Sequence, residues 1–282
     1  MTLWTAQFGH ELYKLFARKR TYIGFAAFLL LQAAILALLQ HPHAQDAVGN
    51  ILVKNGLAFS EYYNGLTLAI AVIAFSFTFL GGLYVALVAG DIVAKEVEEG
   101  TMRMILARPV GRTRLLLIKL AACLVYTLVL VLFLGATALL FATLYRGSLG
   151  KLFIFIDQEN LFGFYDTLPG LYRYCRSVVC LALATLTIAS LGFMFSCFKM
   201  KPAAATILTL SVFFIDAVLT NLPYFRELRG LFMSYHIGFW VRTYHEFPPW
   251  PAIGRSVLIL FGLSTTFVVV GITHFRLRDL KS

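Results

Sequence analysis

Few residues in this sequence have types and spacings that could do chemistry. Glu98-Glu99-x-x-x-Arg103 and Phe232-x-x-x-His236 hold two carboxylates and an imidazole, the groups with which a metal-assisted hydrolase activates water. Asp216 is the carboxylate well inside an apolar run. Such a residue lines a conduit or pairs with a nearby cation, here Arg226 or Arg242. Gln32, Ser76 and Thr78 are polar residues within apolar runs and, with Asp216, are the candidates for lining a pathway. Side chains of this kind more often bond neighbouring helices. Cys175 and Cys180 are five residues apart, which fits no zinc or haem spacing and allows a disulfide only at the cost of strain in a helix; packing is the favoured reading for them and for Cys123 and Cys197. A phosphate-binding loop G-x-x-x-x-G-K-[ST] is absent, so any ATP hydrolysis is expected on another chain, and neither a cofactor nor a metal is expected in this one.

The elements that must position these residues are read from composition. The 282 residues are 60% hydrophobic and 13% charged, with mean hydropathy +0.80. Soluble domains carry about 25% charged residues. The apolar residues gather in six runs, 22–39, 66–88, 116–144, 178–197, 203–219 and 256–273. Runs of about 20 apolar residues match the hydrocarbon thickness of a bilayer, and a lone span satisfies its backbone there only as a helix. The sequence predicts an all-α membrane protein of six transmembrane helices, a single domain over 1–282. A soluble enzyme, a secreted disulfide scaffold and a disordered regulator are excluded. The segments between spans are too short for a separate catalytic domain, which needs roughly 50 residues.

The net charge of +10 follows the same layout. Residues 1–21, 91–115, 198–202 and 274–282 carry 14 Lys and Arg, whereas the longer segments 40–65, 145–177 and 220–255 carry nine. Positive loops stay inside, so both termini are expected in the cytoplasm of a cell inner or plasma membrane. Attraction to anionic lipid headgroups accounts for the basic balance without a nucleic-acid partner.

Within residues 1–21, Trp4, Phe8, Leu12, Leu15 and Phe16 gather on one helical face and Gln7, His10, Lys14 and Arg18 on the other. That stripe predicts an interfacial amphipathic helix with its cations toward water. In the outer segment 221–255, the apolar stretch from Leu228 to Trp240 is too short to span and is expected to be re-entrant or interfacial. Phe247-Pro248-Pro249-Trp250-Pro251 breaks its return path.

The hairpin 91–114 carries the most information. Asp91 through Glu99 can continue the second span, and Gly100 is placed to end it. Thr101 is expected to cap a short helix whose face is Met102, Ile105 and Leu106, and Pro109 to stop it. Thr113 is expected to cap the third span, with Arg112, Arg114 and Lys119 at the headgroups. A two-turn helix with an apolar face toward the cytosol reads as a docking ridge for a soluble partner.

Glu98-Glu99-Gly100-Thr101, the aliphatics after it, Arg108-Pro109-Val110-Gly111-Arg112 and Lys119 resemble the hairpin between spans two and three of ABC-2-type transporter permeases. The order of an amphipathic N-terminal helix, six spans and a re-entrant segment before the last span is similar too. The resemblance implies that the hairpin is a coupling helix seated in a cleft of a separate ATP-binding cassette ATPase subunit, which holds ATP and Mg. Glu98, Glu99, Gly100, Thr101, Met102, Arg103, Ile105, Leu106, Arg108, Pro109 and Arg112 would then form the coupling site. It also implies export between two permease copies, as a homo- or heterodimer. The abundant Phe suits an amphipathic or lipid-like cargo.

Two other readings compete. The motifs that open this section also match the EExxxR and FxxxH of CAAX-type intramembrane metalloproteases, with Glu98, Glu99 and His236 as the active groups. The charge layout, however, puts His236 a bilayer away from the glutamates. A secondary transporter would place ionisable residues in its spans and repeat itself at the half-chain level. Here the spans are nearly uncharged and no such repeat is evident.

Overall fold

The computed structural model describes residues 3–43, 45–46, 49, 62–106, 111–156 and 161–277. In chain order these hold α1 (Leu3–Phe16), α2 (Lys19–Leu39), α3 (Gly65–Glu98), α4 (Thr101–Leu106) and α5 (Arg112–Arg146). A hairpin of β1 (Leu152–Ile156) and β2 (Leu161–Tyr165) follows, then α6 (Thr167–Ser196) and α7 (Pro202–Asn221). A 3-10 helix (Pro223–Leu231), α8 (Met233–Ile237), α9 (Phe239–Arg242) and α10 (Trp250–Leu277) complete the chain. Six of these helices, α2, α3, α5, α6, α7 and α10, are long and apolar enough to cross a membrane.

Their burial differs widely. Of the most apolar 18-residue stretch, 67% is buried in α6 and 61% in α5, against 17% in both α7 and α10. The core therefore lies along α3, α5 and α6, while α7 and α10 present apolar flanks such as Ile207, Phe214, Leu258 and Phe261. Close approach needs small residues. A Cβ on Gly90 of α3 would stand 2.9 Å from the Thr206 backbone nitrogen, so only glycine lets α7 pack there.

α3 is not a uniform helix. Phe77–Gly81 form a π-helical turn in its middle, a feature that inserts a residue and kinks the rod. Beyond it the helix continues to Glu98, and Gly100 at φ +74° ends it in the left-handed conformation that glycine adopts without strain.

At one end of the bundle, here the hairpin end, Ser196 Oγ accepts the Val93 and Ala94 N–H groups at 2.9 Å each. The Arg20–Asp91 ion pair and the Arg112 Nη1 bond to the Arg276 carbonyl at 3.4 Å lie at the same end. At the far end, Leu66 N–H donates to Leu149 O at 2.9 Å and Arg173 Nη1 to His245 O at 2.6 Å. Burial pushes the Tyr165 phenol up, so it stays a neutral donor to Tyr244 O at 2.6 Å.

The β-hairpin is a finding the sequence did not announce. Its register runs from Leu152↔Tyr165 to Ile156↔Leu161. Leu152, Ile154 and Leu161 turn into the core, while Phe155, Phe162 and Phe164 face out. Phe153 N–H donates to Thr67 Oγ1 at 2.9 Å, which ties β1 to the start of α3.

Candidate functional site

Where the hairpin leaves the bundle, the structure places an ion cluster. Lys119, two turns into α5, is fully buried, with Nζ 2.9 Å from Glu11 Oε2 on α1 and 2.7 Å from Glu96 Oε1 on α3. Lys14 of α1 also pairs with Glu96. Two ammonium groups and two carboxylates balance, which is what makes burial of Lys119 tolerable, since an unpaired charge there would be very costly. Thr101 Oγ1 donates to Glu96 O at 3.2 Å, so the first residue of α4 is bonded to the same turn. Arg114 stacks its guanidinium 5.0 Å above the Trp4 ring, a further link from α5 to α1.

Several expectations need correction here. Lys119 is buried inside the protein, because Glu11 and Glu96 converge on it. α1 is amphipathic, yet its stripe packs on α5. Leu15 is buried and Phe16 meets the Tyr126 ring at 5.1 Å, while Lys14 turns inward to its ion pair instead of toward water. Thr101 is the first helical residue and not the cap, its hydroxyl bonding backward to Glu96. Thr113 does not cap α5 either, because the helix starts at Arg112 with Gly111 in the cap position. Met102 is 1% exposed and belongs to the core, whereas Met104 is 67% exposed. Among these two methionines it is Met104 that faces outward.

Glu98 and Glu99 are exposed, with Glu99 3.8 Å from Lys95. Arg108 and Pro109 lie outside the described residues, as do the side chains of Arg103, Ile105 and Leu106. The candidate pathway residues sit in separate places, and the Ser76 hydroxyl has no partner among the described residues. Gln32 is buried and its Nε2 donates to Leu134 O at 3.0 Å, joining α2 to α5. Ser76 is buried just before the π turn, and Thr78 is exposed with its hydroxyl on Ala74 O at 2.9 Å. Asp216 accepts the N–H groups of Met233, at 3.0 Å, and Ser234, so it braces the start of α8. No hydrogen bond joins any of these four to another among the described residues.

His236 is buried at the far end, with Nδ1 3.1 Å from Ser256 Oγ and Nε2 3.0 Å from Gly230 O. Ser256 and Arg276 are separated by twenty residues of α10, about 30 Å along its axis. Arg276 meets Arg112 at the hairpin end, where Glu96 and the two glutamates after it sit. His236 and Glu98–Glu99 are thus on opposite ends of the molecule, and no group of three His, Cys, Asp or Glu that could hold a metal occurs among the described residues.

Sequence reasoning missed Glu11 and Glu96. The available signal was Lys119 itself, an ammonium inside an apolar run that had to find a carboxylate.

Comparison with known proteins agrees with this architecture. The family described as "ABC-2 family transporter protein" matches residues 8–225, from α1 into the 3-10 helix. A stretch of 66 residues is 38% identical to "Uncharacterized protein YhcI" of Bacillus subtilis (strain 168), covering 23% of this chain and 21% of that protein. The chain thus matches about a fifth of that relative's length. With six membrane-crossing helices and a family match over most of its length, this chain is a multi-pass membrane protein that belongs to the ABC-2 family of transporters.

Proposed function

We propose that the chain is the permease half of an ATP-driven exporter. Both termini lie in the cytoplasm, and a separate ATP-binding cassette ATPase, carrying ATP and Mg, docks on the hairpin 91–114. The observation that carries this reading is the Glu11–Lys119–Glu96 cluster directly beneath the hairpin. Breaking a buried ion pair costs about 3–5 kcal/mol. Typical coupling free energies between sites are about 1–3 kcal/mol. A force on α4 therefore moves α1, the end of α3 and the start of α5 as one body before the cluster yields.

A second permease copy completes the pathway. α7 suits that contact, with Ile207, Val212, Phe214, Ile215 and Val218 turned away from its own bundle. An apolar recess of about 420 Å³ between α5, α6 and α10, lined by Leu124, Leu183, Phe261 and Val268, favours a lipid-like cargo. Glu98, Glu99, Arg103, Ile105 and Leu106 would contact the ATPase, with Arg108, Pro109 and Arg112 closing the hairpin. Gln32 and Asp216 bond to neighbouring elements, and Thr78 to its own helix, which suits bracing better than a charged path, whereas the Ser76 hydroxyl is buried with no partner among the described residues.

The test is purification of the chain with its co-expressed neighbours. Replacing Ile105 and Leu106 by Asp should remove the co-purifying ATPase and abolish substrate-dependent ATP turnover, while Glu99→Gln should do much less. Absence of any ATPase, with Glu99→Gln inactive, overturns the reading.

A further inference from the structure

At the far end of the bundle a cavity of about 450 Å³ opens between the end of α7, the 3-10 helix and α8. Asn221, Arg226, Glu227, Arg229, Ser234 and Tyr235 supply its polar lining. Two guanidinium groups share this space with one carboxylate. Arg229 is fixed by Nε, which donates to Thr220 O at 3.1 Å, and this leaves the fork of its terminal nitrogens for the cavity. Arg226 makes no ion pair among the described residues. Asp216 forms no ion pair with either arginine among the described residues; its two oxygens accept the Met233 and Ser234 N–H groups.

Two planar forks in one space match the several acceptor oxygens of a phosphate, which guanidinium binds in bidentate fashion.

We propose that this cavity is a binding site for a phosphate-type oxyanion, presented by an anionic lipid headgroup at that face of the bilayer or taken as the free ion. The surroundings suit the lipid form. Leu228 and Leu231 are exposed beside the cavity and Tyr224 is 88% exposed, a mixture found where a bilayer surface meets protein. The proposal does not rest on ATPase docking, which concerns the other end of the molecule.

The experiment is thermal unfolding of the full-length chain in neutral detergent, titrated with short-chain phosphatidylglycerol, with inorganic phosphate, and with chloride at matched ionic strength. A ligand that binds only the folded state raises the midpoint with a saturable dependence. The wild-type chain should respond to phosphatidylglycerol, and Arg226→Gln combined with Arg229→Gln should need at least about tenfold more of it, since charged hydrogen bonds are lost. Glu227→Gln should tighten binding, because the opposing charge is gone. A response to phosphate as well identifies the free ion as a ligand; a response to phosphatidylglycerol alone assigns the site to the headgroup. An equal shift in the double-arginine variant, or the same shift with chloride, overturns the proposal. Should the double variant fail to fold, Glu227→Gln decides, and an unchanged midpoint titration there overturns it.

Discussion

Lys119 Nζ and Glu96 Oε1 stand 2.7 Å apart in the interior, and through them the two helices that flank the hairpin share one buried charge pair. Glu11 closes the third side from α1. The hairpin's base is thereby a single unit assembled from three separate parts of the chain.

Removal of the ammonium alone should be the most damaging change at this end. Lys119→Met strips Glu11 of its ammonium and leaves Glu96 with Lys14 alone, a loss of about 3–5 kcal/mol. Lys119→Met with Glu96→Gln should recover part of it. The check is a double-mutant cycle on the melting of detergent-purified protein, and strict additivity of the two changes would refute the coupling.

The two described methionines of α4 should behave in opposite ways. Met102→Asp places a charge in the core and forfeits about 1.5–3 kcal/mol of apolar burial, so the protein should melt lower or fail to accumulate. Met104→Asp lies at the surface and should leave the melting temperature unchanged while lowering ATPase retention on a pull-down. Normal retention by Met104→Asp would remove that side chain from the docking surface.

Asp216 gives a test of bracing against ion conduction. Asp216→Ala leaves two N–H acceptors missing and should weaken α8 by about 0.5–2 kcal/mol, seen as faster hydrogen exchange over 233–245 with the hairpin end unaffected. Asp216→Asn keeps an acceptor oxygen and should retain most transport. Complete loss of transport by Asp216→Asn in a normally melting protein would instead assign the charge itself a role in the pathway.

Sidedness can be read with cysteines. Native Cys175 is exposed near the far end, so a membrane-impermeant maleimide should label it in intact cells. A cysteine at Glu98, in a background with Cys175 removed, should react only after the membrane is opened. The reverse pattern would invert the orientation and place the hairpin beyond the reach of a cytoplasmic ATPase.

The spans were legible because bilayer thickness imposes a length on each apolar run, whatever its neighbours do. The β-hairpin was not. Phe153 and Phe155 alternate with Ile154 and Ile156, but a strand signal of five residues needs an anchor, and Thr67 is 86 residues away. Lys119 announced that it needed a partner, yet Glu11 lies 108 residues before it in sequence, beyond any local rule. The face of α4 was misread for a related reason. Six residues are fewer than two helical turns, so periodicity cannot choose between Met102 and Met104.

The π turn at Phe77–Gly81 sets the angular phase of everything after it on α3. One residue corresponds to about 100° of helical rotation. Winding those same five residues as regular α-helix would swing the segment from Gly82 to Glu98 through roughly a right angle about its axis. Glu96 would then point away from Lys119, and Gly90 away from Thr206. The number of residues between Ser76 and Glu96 is therefore a dimension of the protein in its own right. Substitutions within that interval can be many and mild, whereas a one-residue insertion or deletion in its regular turns would rotate the hairpin out of alignment with the helices that carry it.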